Sequence, residues 1–187
     1  MRYWRGTTAS ETILVAYGEI ALKSSYVRRR LEDTLAGQIG YALSREGHQG
    51  HRVLRRFGRL YVEGVPAEAA EAVAGVFGVV SAMPARRTDA DIGSVVDLAV
   101  EVASERLGEG RSFAVRPRTV GSHPYSSREL AVRIGSAVLE ALAGRGVRVD
   151  LDAPDVTLHI EVRDGDAFVY TRIVPGVGGL PYGSQGR

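Results

Sequence analysis

The chain has no cysteine among its 187 residues. That excludes disulfides, thiolate nucleophiles and cysteine-ligated zinc within it. Lysine is nearly absent too: Lys23 stands against 23 arginines, and there is one tryptophan. No apolar run approaches the ~20 residues needed to span a bilayer, and "MRYWRGTTAS" at the start lacks the apolar stretch of a secretory signal. A cytoplasmic protein is expected. No Gly-x-Ser-x-Gly, His-Glu-x-x-His or Walker A pattern is present, so no catalytic residue, metal or cofactor is expected.

What the chain does have is arginine, unevenly spread. Residues 1–64 hold 11 basic and 6 acidic groups, while 65–187 hold 13 and 16. Arginine's planar fork suits bidentate phosphate contacts, although an arginine bias alone is equally the mark of a GC-rich genome or of heat adaptation.

The hydrophobic pattern divides the chain in two. After a loose lead-in over 1–10, "TILVAYGEI" reads as a buried strand ending at Gly18. Val27, Leu31, Leu35, Ile39 and Leu43 recur every four residues, one face of a helix over about 25–45. "HRVLRRFGRLYVEG" predicts two short strands folded at Phe57-Gly58-Arg59, "PAEAAEAVAGV" a helix opened by proline, and "GVVSAMPARRT" a strand ended by Pro84. The order β-α-β-β-α-β is the ferredoxin-like arrangement, expected over 11–83. A second α/β domain, α-β-α-β-β, is expected over 84–187. Its helix at Ile92–Leu107 follows Asp91. "SFAVRP" is a short strand. A second helix follows "SHPYSS", and "DVTLHIEVRDGDAFVYTRIV" is a hairpin turning at Asp164-Gly165, with Thr157, His159, Glu161 and Arg163 on its outer face. The fold class is therefore α+β.

Two basic clusters point to nucleic acid. In the first domain these are Lys23, Arg28, Arg29 and Arg30, with Arg52, Arg55, Arg56 and Arg59, beside Tyr26 and Phe57. In the second, five arginines stand against one acid between Arg111 and Arg133, with Arg116, Arg118, His123, Ser127 and Arg128 around one loop. "YSSREL" reads as a capping box, Ser126 with Glu129, plus a staple of Tyr125 on Leu130. A carboxylate there competes with any phosphate on the helix axis. His48 and His51 read as exposed loop residues, as does His159 on its strand. The closing "GVGGLPYGSQGR" is read either as a tight turn or as a backbone that comes close to an RNA end, through Gly178, Gly179, Leu180 and Pro181, with Tyr182 as a stacking ring.

Taken in order, "YGEIALKSSYVRRRLEDTL", "VFGVVSAMPA", "SFAVRPRTVGSHPYSSRELAVRIG", "PDVTLHIEV" and "GVGGLPYGSQG" resemble the opening half of ThiI-type tRNA 4-thiouridine synthetases, from about Thr12 to Gly186. The resemblance implies a ferredoxin-like domain followed by a THUMP domain. It also implies tRNA as partner, with the acceptor stem and the single-stranded 3′-CCA end as the parts held, and the homodimers common in that family. In that family a pyrophosphatase-type domain adenylates uridine 8. Its Ser-Gly-Gly-x-Asp-Ser loop has no counterpart here, so this chain is expected to bind rather than catalyse. The alternatives are one subunit of a split tRNA-modifying enzyme (thiolase, methyltransferase or deaminase) and an assembly protein. Ser24 stands where the family usually has glycine, and His123 about where it often has lysine.

Overall fold

The structure, a computed structural model, describes residues 10–56 and 58–184. The expected lead-in up to Ala9, and Phe57 at the predicted turn, lie outside them. The chain folds as two compact units, one of residues 11–85 and 172–184, the other of 86–171.

The first unit contains β1 (Ser10–Tyr17), α1 (Ser25–Arg45), β2 (Arg52–Arg56), β3 (Arg59–Glu63), α2 (Ala70–Ala74) and the first residues of β4 (Val79–Asp89). Its strands lie in the order β2-β3-β1-β4. β3 is antiparallel to both β1 and β2, with Leu14 opposite Tyr61 and Leu54 opposite the same residue. This is the split arrangement read from the sequence. α1 forms where its four-residue apolar spacing says it should: Leu31, Leu35, Ile39 and Leu43 are buried against Ile13, Val15, Leu60 and Val62. Each such side chain contributes about 1.5–3 kcal/mol when fully buried. Val27, assigned to the same face, is exposed, because the first turn of α1 runs past the core. The proline-opened helix is a single 3-10 turn at Ala67–Ala69 leading into α2.

The second unit contains α3 (Ile92–Arg106), β5 (Ser112–Val120), α4 (Ser127–Ala141), β6 (Arg148–Val149), β7 (Val156–Arg163), β8 (Asp166–Tyr170) and the last four residues of β4. β5 runs parallel to β7 and β6, and β8 is antiparallel to β7 and β4. α4 makes the crossover that parallel strands require. Val95, Ala99, Val102, Leu130, Ile134 and Val138 bury one stripe of each helix against Phe113, Leu158 and Ile160. Asp91 caps α3, its Oδ1 accepting from Ser94 N–H at 3.0 Å.

Two prolines read as strand ends are strand interiors. Pro84 falls in β4 between the Ala82–Val174 and Arg86–Val169 pairings. Pro117 lies in β5 opposite Ile160, beyond the two residues that pair with β6. Its missing N–H is tolerated where a strand edge lacks a partner. β6 and β9 (Val174–Pro175), two residues each, have no pattern long enough to read from sequence.

The residues after Thr171 also differ from expectation. Placed by sequence at the end of the second domain, Arg172 to Ser184 pack on the first unit. β9 pairs with β4 at Ser81 and Ala82, and Val174 and Leu180 lie against the first unit's core.

Candidate nucleic-acid interface

In the first unit, Lys23 ends the 3-10 turn Glu19–Leu22, just before α1, and Arg28, Arg29 and Arg30 follow on its first two turns. Their side chains are exposed and have no ion-pair partner among the described residues. Tyr26, Arg29, Arg30, Asp33 and Thr34 line a shallow depression on α1. Ser24, at the helix N-cap, makes no side-chain cap. The second basic run is largely engaged: Arg52 pairs with Glu63 at 2.9 Å, Arg55 with Asp33 at 3.1 Å, and Arg59 is buried. Only Arg56 of that run is exposed without an ion-pair partner among the described residues. Sequence periodicity did not reveal why Arg55 is held. Glu32 is an acid on the inward side of α1, buried with Tyr17, whose hydroxyl donates to Glu32 Oε1 at 2.5 Å. Arg55 lies 3.6 Å from the other carboxylate oxygen.

In the second unit the predicted residues lie in the second half of β5 (Arg116, Arg118), in the loop after it (His123) and on the first turn of α4 (Ser127, Arg128), with different tasks for each. Arg118 and Arg128 are exposed and have no partner among the described residues. Arg116 is exposed, with its guanidinium donating to the Leu151 carbonyl. Ser127 is half-buried, its hydroxyl 3.0 Å from that of Thr119, a tie between α4 and β5. His123 hydrogen-bonds the Val120 carbonyl at 2.9 Å and stacks on Tyr125, centroids 5.9 Å apart. Tyr125 is the staple foreseen: buried, donating to the Ala90 carbonyl, its phenol pKa pushed up by burial and by Asp91.

The capping box is only half made. Ser126 Oγ accepts from Glu129 N–H at 3.1 Å, but the Glu129 carboxylate pairs with Arg133 at 2.9 Å. The acid that would compete with an anion at this helix start is thus neutralised one turn further on.

The other histidines depart from the sequence reading. His51 bonds the His48 carbonyl at 2.9 Å and its ring lies over Gly40 of α1, where an added Cβ would approach to 3.1 Å. His159 is half-buried and stacked on Tyr170, centroids 5.1 Å apart and 11° from parallel. Burial and then Arg116 hold its pKa below the ordinary value. Its neighbours Glu161 and Arg163, expected on an outer face, are buried and paired with each other. Among the described residues no cluster of acids and histidines could hold a metal, and no helix is long and apolar enough to cross a membrane.

The closing segment is laid down backbone on backbone. Gly176 N–H donates to the Val80 carbonyl at 2.8 Å and Gly178 N–H to Val79 at 2.7 Å, while Gly78 N–H donates to Gly178 at 2.8 Å. Gly178 and Gly179 take φ near +71° and +75°, which favours glycine. Pro181 is buried against Gly78 and Leu180 is half-buried, so both serve packing. Tyr182 projects outward.

An acid clip holds β5 to the start of β7. Asp155 accepts from Ser112 N–H at 2.8 Å, Ser112 Oγ at 2.9 Å and Arg111 at 2.9 Å. Those donors, the Ser112 amide foremost, lower its pKa to about 2. A depressed carboxylate stabilises the fold above its unfolded pKa of ~3.9, and that contribution is lost as pH falls through about 2. Asp155→Asn should therefore lower the melting temperature at pH 7 and shrink its difference from wild type between pH 4 and 2. Thermal melts across that range check it; a pH-independent difference contradicts it.

Comparison with known proteins identifies both domains. The ThiI ferredoxin-like domain matches residues 12–82 and the THUMP domain residues 89–172. A probable tRNA sulfurtransferase of Methanosarcina acetivorans is 40% identical over 176 residues, 93% of this chain and 43% of that protein. The crystal structure of PH1313 from Pyrococcus horikoshii superposes with a TM-score of 0.81 at 32% identity, covering 93% of this chain and 58% of that one. A 4-thiouridine synthetase solved with RNA and ATP gives 0.75 at 25% identity, covering 94% and 44%. The chain spans a little under half the length of the curated relatives it matches. It belongs to the ThiI-type family, of which it comprises the N-terminal ferredoxin-like and THUMP domains.

Proposed function

We propose that this chain is a tRNA-binding module that holds the acceptor stem and the single-stranded 3′-CCA end, in the service of uridine thiolation. The observation that carries the proposal is the loop leading into α4. Two exposed arginines, Arg118 and Arg128, flank it without partners among the described residues, and the one acid beside it is already paired with Arg133. In solvent such cations gain most from phosphate, whose condensed counterions are released on contact. Lys23, Arg28 and Arg29 give the ferredoxin-like domain a similar face. A relative solved with RNA supports the reading. The adenylation and sulfur transfer of thiolation belong to machinery outside these 187 residues.

Titrating the chain with labelled tRNA, intact and trimmed of its 3′-CCA, tests this. Intact tRNA should bind in a salt-dependent way, and trimming should remove most of the affinity. Equal affinity for both would remove the 3′-end assignment.

A further inference from the structure

If this module holds unpaired RNA, it needs ring faces for bases. Among the described residues the second unit offers no exposed ones: Phe113, Tyr125 and Phe168 are buried and Tyr170 is half-buried. Among the described residues every exposed aromatic ring is in the first unit, and three of the four are tyrosines: Tyr26 at 78%, Tyr41 at 68% and Tyr182 at 81%.

Their placement is ordered. On α1, Tyr26, Arg30, Thr34, Gln38, Tyr41 and Arg45 follow at spacings of three and four, one stripe that is exposed at Tyr26, Arg30, Tyr41 and Arg45 and half-buried at Thr34 and Gln38. From Tyr26 to Tyr41 it runs about 22 Å along the axis. Gln38 grips the closing segment through both ends of its amide: Nε2 donates to the Tyr182 carbonyl at 2.8 Å and Oε1 accepts from the Tyr182 N–H at 3.2 Å. The grip falls on the one residue of the segment with a large, fully presented ring. It places the Tyr182 backbone against α1 one turn from Tyr41.

We infer that Tyr41 and Tyr182 form a stacking platform for one unpaired RNA base, with Gln38 as the residue that positions Tyr182. The inference rests on the tRNA-binding reading and adds a base-reading site on the ferredoxin-like domain. RNA is the occupant that suits the surroundings: the stripe carries Arg30 and Arg45, both exposed and without an ion-pair partner among the described residues, and the acid beside it, Asp33, is paired with Arg55 at 3.1 Å. A stacked base takes its contact from ring faces and its phosphates from the flanking cations.

The test is tRNA affinity of single and double variants, with melting temperature as the folding control. Tyr41→Ala and Tyr182→Ala should each weaken binding roughly tenfold, without changing the salt slope, because neither removes a charge. Phenylalanine at either position should restore it. Because both rings would hold the same base, the double variant should lose less than the product of the single losses. Gln38→Ala should weaken binding in the wild type and have no effect in the Tyr182→Ala background. Variants that fold and bind tRNA like the wild type would overturn the platform while leaving tRNA binding intact. A wild-type chain that binds no tRNA would instead remove the reading beneath it.

Discussion

Gly176→Ala is expected to destabilise the ferredoxin-like unit by about 3 kcal/mol, the upper end for forced overpacking. The reason is steric rather than conformational. An added Cβ would lie 2.2 Å from the Val79 carbonyl oxygen and 2.8 Å from its carbon. Those are backbone atoms of β4, which cannot rotate aside as a side-chain tip can. The segment can relieve the clash only by lifting away, which sacrifices the bonds from Gly176 to Val80 and from Gly178 to Val79, each contributing about 1 kcal/mol. In a chain of this size 3 kcal/mol corresponds to a melting shift of very roughly 10 °C. Gly37→Ala is the matched control. Gly37 lies within α1 with nothing near its missing Cβ, so alanine there should hold or raise stability by about 0.5–1 kcal/mol. Calorimetry of the two variants decides the matter: an unshifted Gly176→Ala transition would mean the segment is not docked as described.

Removing cations should have the largest effect on affinity. Arg28, Arg29, Arg118 and Arg128 are exposed and without ion-pair partners among the described residues, so truncating them leaves no buried charge or broken network behind. If each neutralises one phosphate, the four alanine substitutions together should reduce the steepness of log affinity against log salt by about 3. The affinity loss would then reach several hundredfold or more near 0.1 M salt. Arg52 and Arg55 serve as contrast: both are held by acids, at 2.9 and 3.1 Å, and their removal should change the salt slope little. A quadruple variant with the wild-type slope would place the phosphate contacts elsewhere.

Much of this architecture was legible in the sequence because it follows periodicity. Leu31, Leu35, Ile39 and Leu43 announced α1, and Ser126 with Tyr125 and Leu130 announced the start of α4. What escaped depended on partners distant in sequence. Pro117 reads as a stop until β6 is seen to end its pairing at Phe113. Glu161 and Arg163 read as an outer face because alternation says which side a residue takes, not whether that side is covered. The charge runs look alike in one dimension, yet Glu63 and Asp33 neutralise one of them while Arg28 and Arg29 stay open. The closing glycines were read as a tight turn and linker or as a backbone close to an RNA end. That they approach Val79 and Val80 could not be read, because strand addition leaves no local signature in two residues. Gln38, an unremarkable helix residue in sequence, acquires its role only through Tyr182, 144 positions away.

The central claim is that these two domains grip tRNA by its phosphates and its unpaired end. Titration of the purified wild-type chain with intact and 3′-trimmed tRNA, over a range of salt concentrations, tests it most directly. The account predicts a linear fall of log affinity with log salt for intact tRNA, and most of the affinity gone on trimming. Absence of salt-dependent binding to intact tRNA, even at low salt, would contradict it.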